Sequence, residues 1–234
     1  GVSRSLNGRA WRLRPAAPWA AGAIAQQLNV PEVIARVLAG RGLDVDSAAD
    51  FLNPTLKAAL PDPTILKDMD AAAARVAEAI IGHETVAVFG DYDVDGATSA
   101  ALLLRFFQAV GGRLIPYIPD RLTEGYGPNT PALMGLRAAG ASLVITVDCG
   151  TLAYEPLAAA RAAGLDVVVV DHHLAEPGLP DAVAVINPNR LDDDSGLTQL
   201  AAVGVAFMLA VAVNRILRQR GWYAKGLPEP DLLQ

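Results

Sequence analysis

The chain has 234 residues, of which 52% are hydrophobic and 19% are charged, and its formal net charge is −6. This composition describes a well-buried globular protein with one large domain or two small ones. The single cysteine, Cys149, excludes an internal disulfide and fits a reducing cytoplasm. The longest apolar run, Leu200 to Val213, is too short to span a bilayer, so we predict a core helix there and no membrane partner. A negative net charge usually argues against a nucleic-acid partner. It does not exclude one here, because acidic residues clustered to bind cations would produce the same net charge.

Residues 1–82 show helical patterns and no strand pattern. We predict helices over 31–39, 46–52 and 70–81. Asp46 and Asp70 stand at the starts of the last two and are predicted to cap them, since a carboxylate accepts hydrogen bonds from the free amides of a helix start.

A different rhythm begins at Thr85. Short β-branched runs predict strands at 85–90, 114–118, 143–147, 167–170 and 183–186. Helical stretches are predicted at 97–110, 130–139, 153–163 and 199–219. Strands and helices that alternate at this spacing predict right-handed βαβ units. We therefore expect an α/β fold with a five-stranded, mainly parallel sheet, helices on both faces, a helical segment over 1–82 before it and the α/β domain over 83–234.

Acidic residues follow three of these strands. The first strand runs into DYDVDG, the third into DCG and the fourth into DHH. In an open parallel sheet all carboxyl ends of the strands lie along one edge, where ligands bind. The residues expected to converge there are Asp91, Asp93, Asp95, Asp148, Asp171, His172 and His173.

Such a cluster of carboxylates repels itself, because neighbouring negative charges raise each other's pKa. Divalent cations remove the conflict, and carboxylates with imidazoles suit Mn²⁺, Mg²⁺ or Zn²⁺. There are enough acids for two ions, and a pair of ions about 3.5–4 Å apart is the arrangement used in phosphoryl displacement. The pattern favours a two-metal phosphodiesterase site.

Other interpretations explain less of this pattern. The run from Asp91 to Gly96 opens like a calcium-binding EF-hand loop, but Leu102 stands where that loop needs a glutamate, and a strand precedes it instead of a helix. A haloacid-dehalogenase-type phosphatase would use two of these acids and leave the DHH segment unexplained. A dinucleotide-binding protein is weaker still, since no Gly-x-Gly-x-x-Gly follows the first strand. A non-enzymatic, metal-stabilised binding module ranks third, behind the hydrolases described below.

Single residues near these motifs have ordinary structural explanations. One aspartate after a strand is commonly a helix cap, although three strand ends with a histidine pair make that explanation poor for the whole set. We expect Cys149 to be a small buried hydrophobe and His83 to lie exposed in a turn.

The segments GDYDVDGATSAALLL, IPDRLTEGYG, VITVDCG and VVVVDHH, in this order, resemble the DHH phosphoesterase superfamily. Within it they are similar to a single-strand-specific exonuclease, as are the stretches FLNPTL and LPDAVAVINPNR. The resemblance implies a metal-dependent hydrolase that removes nucleotides 5′ to 3′ from single-stranded DNA in repair and recombination. Its alternative is a relative acting on short oligonucleotides, cyclic dinucleotides or pyrophosphate.

The resemblance also implies residue roles. Asp93 and Asp95 would each hold a different divalent ion, Mn²⁺ or Mg²⁺, with Asp91 beside them, and Asp148 would bridge the two ions. The full expected set of metal ligands is Asp93, Asp95, Asp148, Asp171 and His172.

The histidine pair is expected to divide two tasks. His172 would ligate one metal and be oriented by Asp171, and His173 would face the scissile phosphate. Candidates for contacts with the DNA strand are Arg121, Tyr126 and Asn187.

Two departures from the family pattern concern the end of the chain. A glycine-rich stretch is expected where Leu200–Val205 stands, so Gly204 matches it weakly. The family has a fourth acidic motif and further substrate-binding domains, and Asp231 does not match that motif. These departures predict a fragment that is inactive by itself.

Overall fold

The computed structural model describes residues 3–12 and 18–232, and it divides into two compact units, Gly1–Leu60 and Pro61–Gln234. The described residues of the first unit form four helices: α1 (Pro18–Leu28), α2 (Glu32–Gly40), α3 (Val45–Leu52) and α4 (Leu56–Ala59). Small apolar side chains such as Ala21, Ala35 and Ala48 form its core and let the helices approach closely.

The cap of α3 differs from the prediction. Asp44, not Asp46, accepts a hydrogen bond from the amide of Ser47, and the Ser47 hydroxyl accepts one from the amide of Asp44. This reciprocal pair satisfies two amides at once, which explains why the helix begins at Val45.

Up to residue 232, where the described part of the second unit ends, this unit forms five strands and five α-helices. The strands are β1 (Thr85–Gly90), β2 (Arg113–Tyr117), β3 (Ala141–Val147), β4 (Asp166–Val170) and β5 (Ala184–Ile186). The helices are α5 (Met69–Ile81), α6 (Val94–Ala109), α7 (Thr130–Ala138), α8 (Tyr154–Ala162) and α9 (Ala202–Gln219). Short 3₁₀ helices occupy Pro63–Ile65 and Trp222–Lys225.

The five strands form one parallel sheet in the order β2-β1-β3-β4-β5. Helices α7 and α8 pack against one face through the cluster that includes Phe89, Leu133 and Leu157. Helix α9 packs against both α5 and α6, and these three helices form the layer on the other face. The predicted α/β class with helices on both faces is confirmed.

Helix α5 lies in the second unit, together with the sheet. The two units divide after Leu60, whereas the sequence suggested a boundary after residue 82. Asp68, just before α5, accepts hydrogen bonds from the amide of Val185 and from the guanidinium of Arg190, at 3.1 and 2.6 Å. Its side chain makes no cap hydrogen bond, and Asp70, predicted as the cap, lies in the first turn of the helix.

Helix α9 is long and apolar enough to cross a membrane by length and composition alone. Its side chains are instead buried against α5 and α6, as for Val205, Leu209 and Val213. The core helix predicted for this segment is therefore present, and it begins at Ala202.

Candidate metal centre

The sheet reverses its direction of winding between β1 and β3, because the chain moves from β1 outward to β2 and then returns past β1 to β3. The carboxyl ends of the two strands flanking such a switch point leave a crevice in which open α/β sheets bind ligands. Asp91 directly follows β1 and Asp148 directly follows β3. The strand order therefore places acids from two distant segments on both sides of this crevice.

Three acids form a row along this edge because each extends the hydrogen-bond ladder by one residue. The amide of Asp91 donates to the carbonyl of Val147, at 3.2 Å, and the amide of Asp148 donates to Val170, at 3.0 Å. The amide of Asp171 donates in the same way to Ile186, at 3.0 Å. The sheet register itself thus fixes the spacing of the three backbones.

The segment after β1 folds tightly over its own first residue. A Cβ atom on Gly96 would lie 2.2 Å from the carbonyl oxygen of Asp91, so only glycine fits there. Asp93 caps α6, since its Oδ1 accepts hydrogen bonds from the amides of Asp95 and Gly96, at 2.9 and 3.2 Å. Burial would raise the pKa of Asp93, but the amide of Gly96 and the neighbouring Asp148 outweigh it, and the pKa lies below its ordinary value.

Two groups of possible metal ligands share one residue, Asp148. Asp91, Asp93 and Asp148 offer ligand atoms that all lie within 4.8 Å of one another, and Asp148, His172 and His173 do the same. Asp148 adopts a left-handed backbone conformation with φ 63°, which is uncommon for a residue other than glycine and often marks a functional site.

The carboxylates at this point are poorly compensated, since the nearest group that could carry a positive charge at Asp148 is the imidazole of His172, with Nε2 3.1 Å from Oδ1. Oδ1 of Asp91 and Oδ1 of Asp148 are buried and have no hydrogen-bond partner among the described residues. Burial raises the pKa of Asp91 above its ordinary value. Burial, together with the adjacent carboxylate of Asp93, raises the pKa of Asp148 to about 7. Unpartnered carboxylate oxygens next to imidazoles are the donors that a divalent cation needs, so these residues fit a metal site.

Asp171 is fully engaged by hydrogen bonds. Its Oδ1 accepts from the amide of His172, at 2.7 Å, and pairs with Nδ1 of His173, at 2.8 Å, and its Oδ2 accepts from the amide of Thr151, at 3.1 Å. Burial alone would raise its pKa, but these hydrogen bonds lower the pKa of Asp171 to about 2. The hydrogen bond to Asp171 in turn raises the pKa of His173.

This pairing differs from the predicted one, in which Asp171 orients His172. The ring of His172 instead points to the acids of the other segments: its Nε2 lies 3.1 Å from Oδ1 of Asp148 and 4.0 Å from Oδ2 of Asp95. Neither Asp95 nor Asp171 belongs to the two groups of possible ligands that share Asp148, although Asp95 lies beside His172.

Two of the three predicted DNA-contacting residues lie near the metal centre and are exposed. The guanidinium of Arg121 lies 5.1 Å from the ring centroid of Tyr92, between Asp91 and Asp93 in the chain. The hydroxyl of Tyr126 donates to the carbonyl of Asp148, at 3.2 Å, and its ring meets that of His173 edge-on.

Asn187, the third predicted DNA contact, is buried and has a different task. Its amide nitrogen donates to the hydroxyl of Thr151, at 2.9 Å, and to the carbonyl of His173, at 2.8 Å. Both amide hydrogens are thus used inside the protein and none is left for a DNA strand. Asn189 supports the same segment by donating to the carbonyl of His172. The sequence analysis did not identify Thr151 and Asn189 as residues that support the histidine pair. The INPNR segment at the end of β5 was the signal that could have identified Asn189.

Comparison with known proteins agrees with this geometry. Residues 85–230 match the model of the DHH family, N-terminal domain. The chain is 40% identical over 190 residues to the single-stranded-DNA-specific exonuclease RecJ of Bacillus subtilis, which covers 81% of this chain and 24% of the relative. It is 38% identical over 208 residues to RecJ of Salmonella typhimurium, covering 88% of this chain and 35% of the relative.

Solved structures show the same relationship. The structure of RecJ from Thermus thermophilus in complex with Mn²⁺ superposes with a TM-score of 0.69 at 28% identity, covering 92% of this chain and 29% of that one. A second structure, of exonuclease RecJ bound to manganese, gives a TM-score of 0.60 at 34% identity, covering 70% of this chain and 40% of that one. The chain spans about a quarter to a third of the length of the curated relatives it matches. With its family model matched over 85–230 and its acids and histidines gathered at one sheet edge, the chain belongs to the DHH family.

Proposed function

We propose that this chain is the metal-binding part of a phosphodiester hydrolase that releases mononucleotides 5′ to 3′ from single-stranded DNA, in the cytoplasm and in the service of DNA repair and recombination. The observation that best supports this proposal is the presence of two groups of possible metal ligands that share Asp148. Similarity to RecJ exonucleases of several bacteria supports the choice of DNA as substrate.

The proposed site holds two divalent ions, Mn²⁺ or Mg²⁺. One group, Asp91, Asp93 and Asp148, would hold the first ion, and Asp148 with His172 would hold the second. Asp95, whose Oδ2 lies 4.0 Å from Nε2 of His172, would add a carboxylate to the second set. When bound there, two such ions would activate a water molecule and offset the negative charge that develops in an in-line displacement.

His173 has the task of proton donor in this proposal. Asp171 engages its Nδ1 and raises its pKa, which favours the protonated ring. Nε2 makes no hydrogen bond with the described residues and is free to donate to a phosphate oxygen or to the leaving group. Asp171 therefore acts as a positioning residue and not as a ligand, and Asn187 and Asn189 hold the peptide groups of the histidine pair.

Calorimetric titration of Mn²⁺ tests the shared ligand. Asp148→Ala removes a residue from both groups, so we expect both binding events to weaken, whereas Asp50→Asn, at an exposed carboxylate on α3, should bind as the unchanged chain does. Equal Mn²⁺ affinity in Asp148→Ala and the unchanged chain would exclude the bridging role.

The substrate is tested with the protein that carries residues 1–234. Single-stranded DNA labelled at its 3′ end, incubated with Mn²⁺, should shorten stepwise from the 5′ end, and blunt duplex should stay intact. Faster hydrolysis of pyrophosphate or of a cyclic dinucleotide would assign the protein to another branch of the family and leave the metal centre unchanged.

A further inference from the structure

A cleft of about 680 Å³ opens beside the histidine pair. His173 and Asp171 line one part of it, so the cleft is continuous with the metal centre. The rest of the lining is mainly apolar and includes Pro128, Leu152 and Leu174. Its volume lies within the range of about 300–1,000 Å³ that is usual for sites of small molecules.

Apart from Nε2 of His173, which faces the proposed phosphate position, the polar side-chain groups in this cleft are already engaged within the protein. The hydroxyl of Thr151 accepts a hydrogen bond from Asn187, and the hydroxyl of Tyr126 donates to the carbonyl of Asp148. Both oxygens of Asp171 accept hydrogen bonds from protein groups. A ligand in the cleft would therefore meet apolar surface and one aromatic ring, with few side-chain groups able to read its hydrogen-bonding edge.

This chemistry distinguishes between the possible parts of a substrate. An apolar surface gives a charged phosphate no compensation for the water it loses. A nucleobase has an apolar π-face whatever its identity, and bases stack on aromatic and aliphatic side chains. Tyr126 is 55% exposed and Leu174 is 82% exposed, so both residues offer surface for such a contact.

We propose that this cleft is a nucleobase subsite without base preference, which seats the base of the nucleotide whose phosphate lies at the metal centre. The inference rests on the proposed function and deepens it. It explains how one site can release successive nucleotides of any sequence.

The experiment measures binding of small probes to the Mg²⁺-loaded chain, by calorimetry or by amide chemical shifts. The probes are dTMP, dAMP and 2-deoxyribose 5-phosphate, which carries the same phosphate without a base. We expect similar affinity for the two nucleotides and about tenfold weaker binding of the sugar phosphate, as the loss of one stacked base implies.

Two exposed leucines provide a matched pair of variants. Leu174→Ala should lower the affinity for both nucleotides about fivefold and leave the affinity for the sugar phosphate unchanged. Leu191 is 71% exposed and does not line the cleft, so Leu191→Ala should leave the affinities for the nucleotides and for the sugar phosphate unchanged. Leu152→Ala provides a second cleft variant if Leu174→Ala folds poorly.

Equal affinity for nucleotides and sugar phosphate, or a strong preference for one base, would overturn the subsite. The result is separable from the proposed function. If Leu174→Ala weakens nucleotide binding but the protein leaves single-stranded DNA intact, the subsite is supported and the exonuclease function is refuted. If the protein degrades single-stranded DNA and Leu174→Ala has no effect on nucleotide binding, the function is supported and the subsite is refuted.

Discussion

Replacing Asp148 by asparagine should stabilise the chain when metal is absent. The carboxylate is 2% exposed, its Oδ1 has no hydrogen-bond partner among the described residues, and Asp93 lies beside it. Each of these features penalises the charged form, which is why the pKa of Asp148 rises to about 7. A neutral amide of nearly the same shape removes that penalty.

The size of the effect follows from the change in pKa. A carboxyl group whose pKa is higher in the folded chain holds its proton more tightly there, so protonation stabilises the fold at low pH and this stability is lost as the pH rises. A tenfold change in acid dissociation corresponds to about 1.4 kcal/mol. The rise from 3.8 to about 7 therefore corresponds to roughly 4 kcal/mol of unfolding free energy. The advantage of Asp148→Asn should grow between pH 4 and about pH 7 and stay constant above it, with roughly 4 kcal/mol as the upper limit.

Urea unfolding with a chelator, followed by tryptophan fluorescence across this pH range, measures the difference. Asp50→Asn is the control for loss of an exposed charge. Adding Mn²⁺ should shrink the advantage of Asp148→Asn and abolish it at about 1,000 times the Kd, where a bound ligand stabilises the unchanged chain by about 4.1 kcal/mol. If Asp148→Asn is less stable than the unchanged chain at every pH, Asp148 has a structural role and the argument from uncompensated charge is wrong.

Two further predictions concern the segments that shape the site. Asn189→Ala removes the hydrogen bond to the carbonyl of His172 and should lower Mn²⁺ affinity about tenfold in calorimetry while the chain stays folded. Gly96→Ala would place a Cβ 2.2 Å from the carbonyl oxygen of Asp91 and should destabilise the chain by about 3 kcal/mol in thermal unfolding. Gly135→Ala, with open space around it in α7, should instead be stabilising by about 0.5–1 kcal/mol, and a similar loss in both variants would contradict the close-approach argument.

The sequence predicted the fold well because the strand signals are strong and regular. The five β-branched runs all became strands. Parallel pairing of the first four followed from the helices between them, whereas β5 pairs in parallel with β4 after a connection without a helix. Cys149 is buried and His83 is exposed, as predicted. Helix starts were less predictable, since Asp44 and Asp46 are both plausible caps and only the side-chain geometry of Ser47 selects the first.

The site was predictable in outline and not in its pairings. Carboxylates after parallel strands must meet at one edge, so the sequence identified which residues converge. Which imidazole Asp171 engages depends on rotamers that adjacent His172 and His173 do not encode, and the structure selects His173. Asn187 reads as a polar surface residue in sequence, whereas the turn after β5 buries it beneath the histidine pair.

The contrast between Asp148 and Asp171 assigns their tasks. Both directly follow a central strand, both amides extend the ladder, and both side chains are 2% exposed. Yet the pKa of Asp148 is raised to about 7 and that of Asp171 is lowered to about 2. Backbone amides and His173 hydrogen-bond to Asp171, while Oδ1 of Asp148 has no such donor among the described residues. When one site pushes the pKa values of two similar groups apart, the groups do different work. Under the proposed function, Asp171 would thus be the anion that holds an imidazole in place, and Asp148 would be the carboxylate whose charge is balanced by a cation.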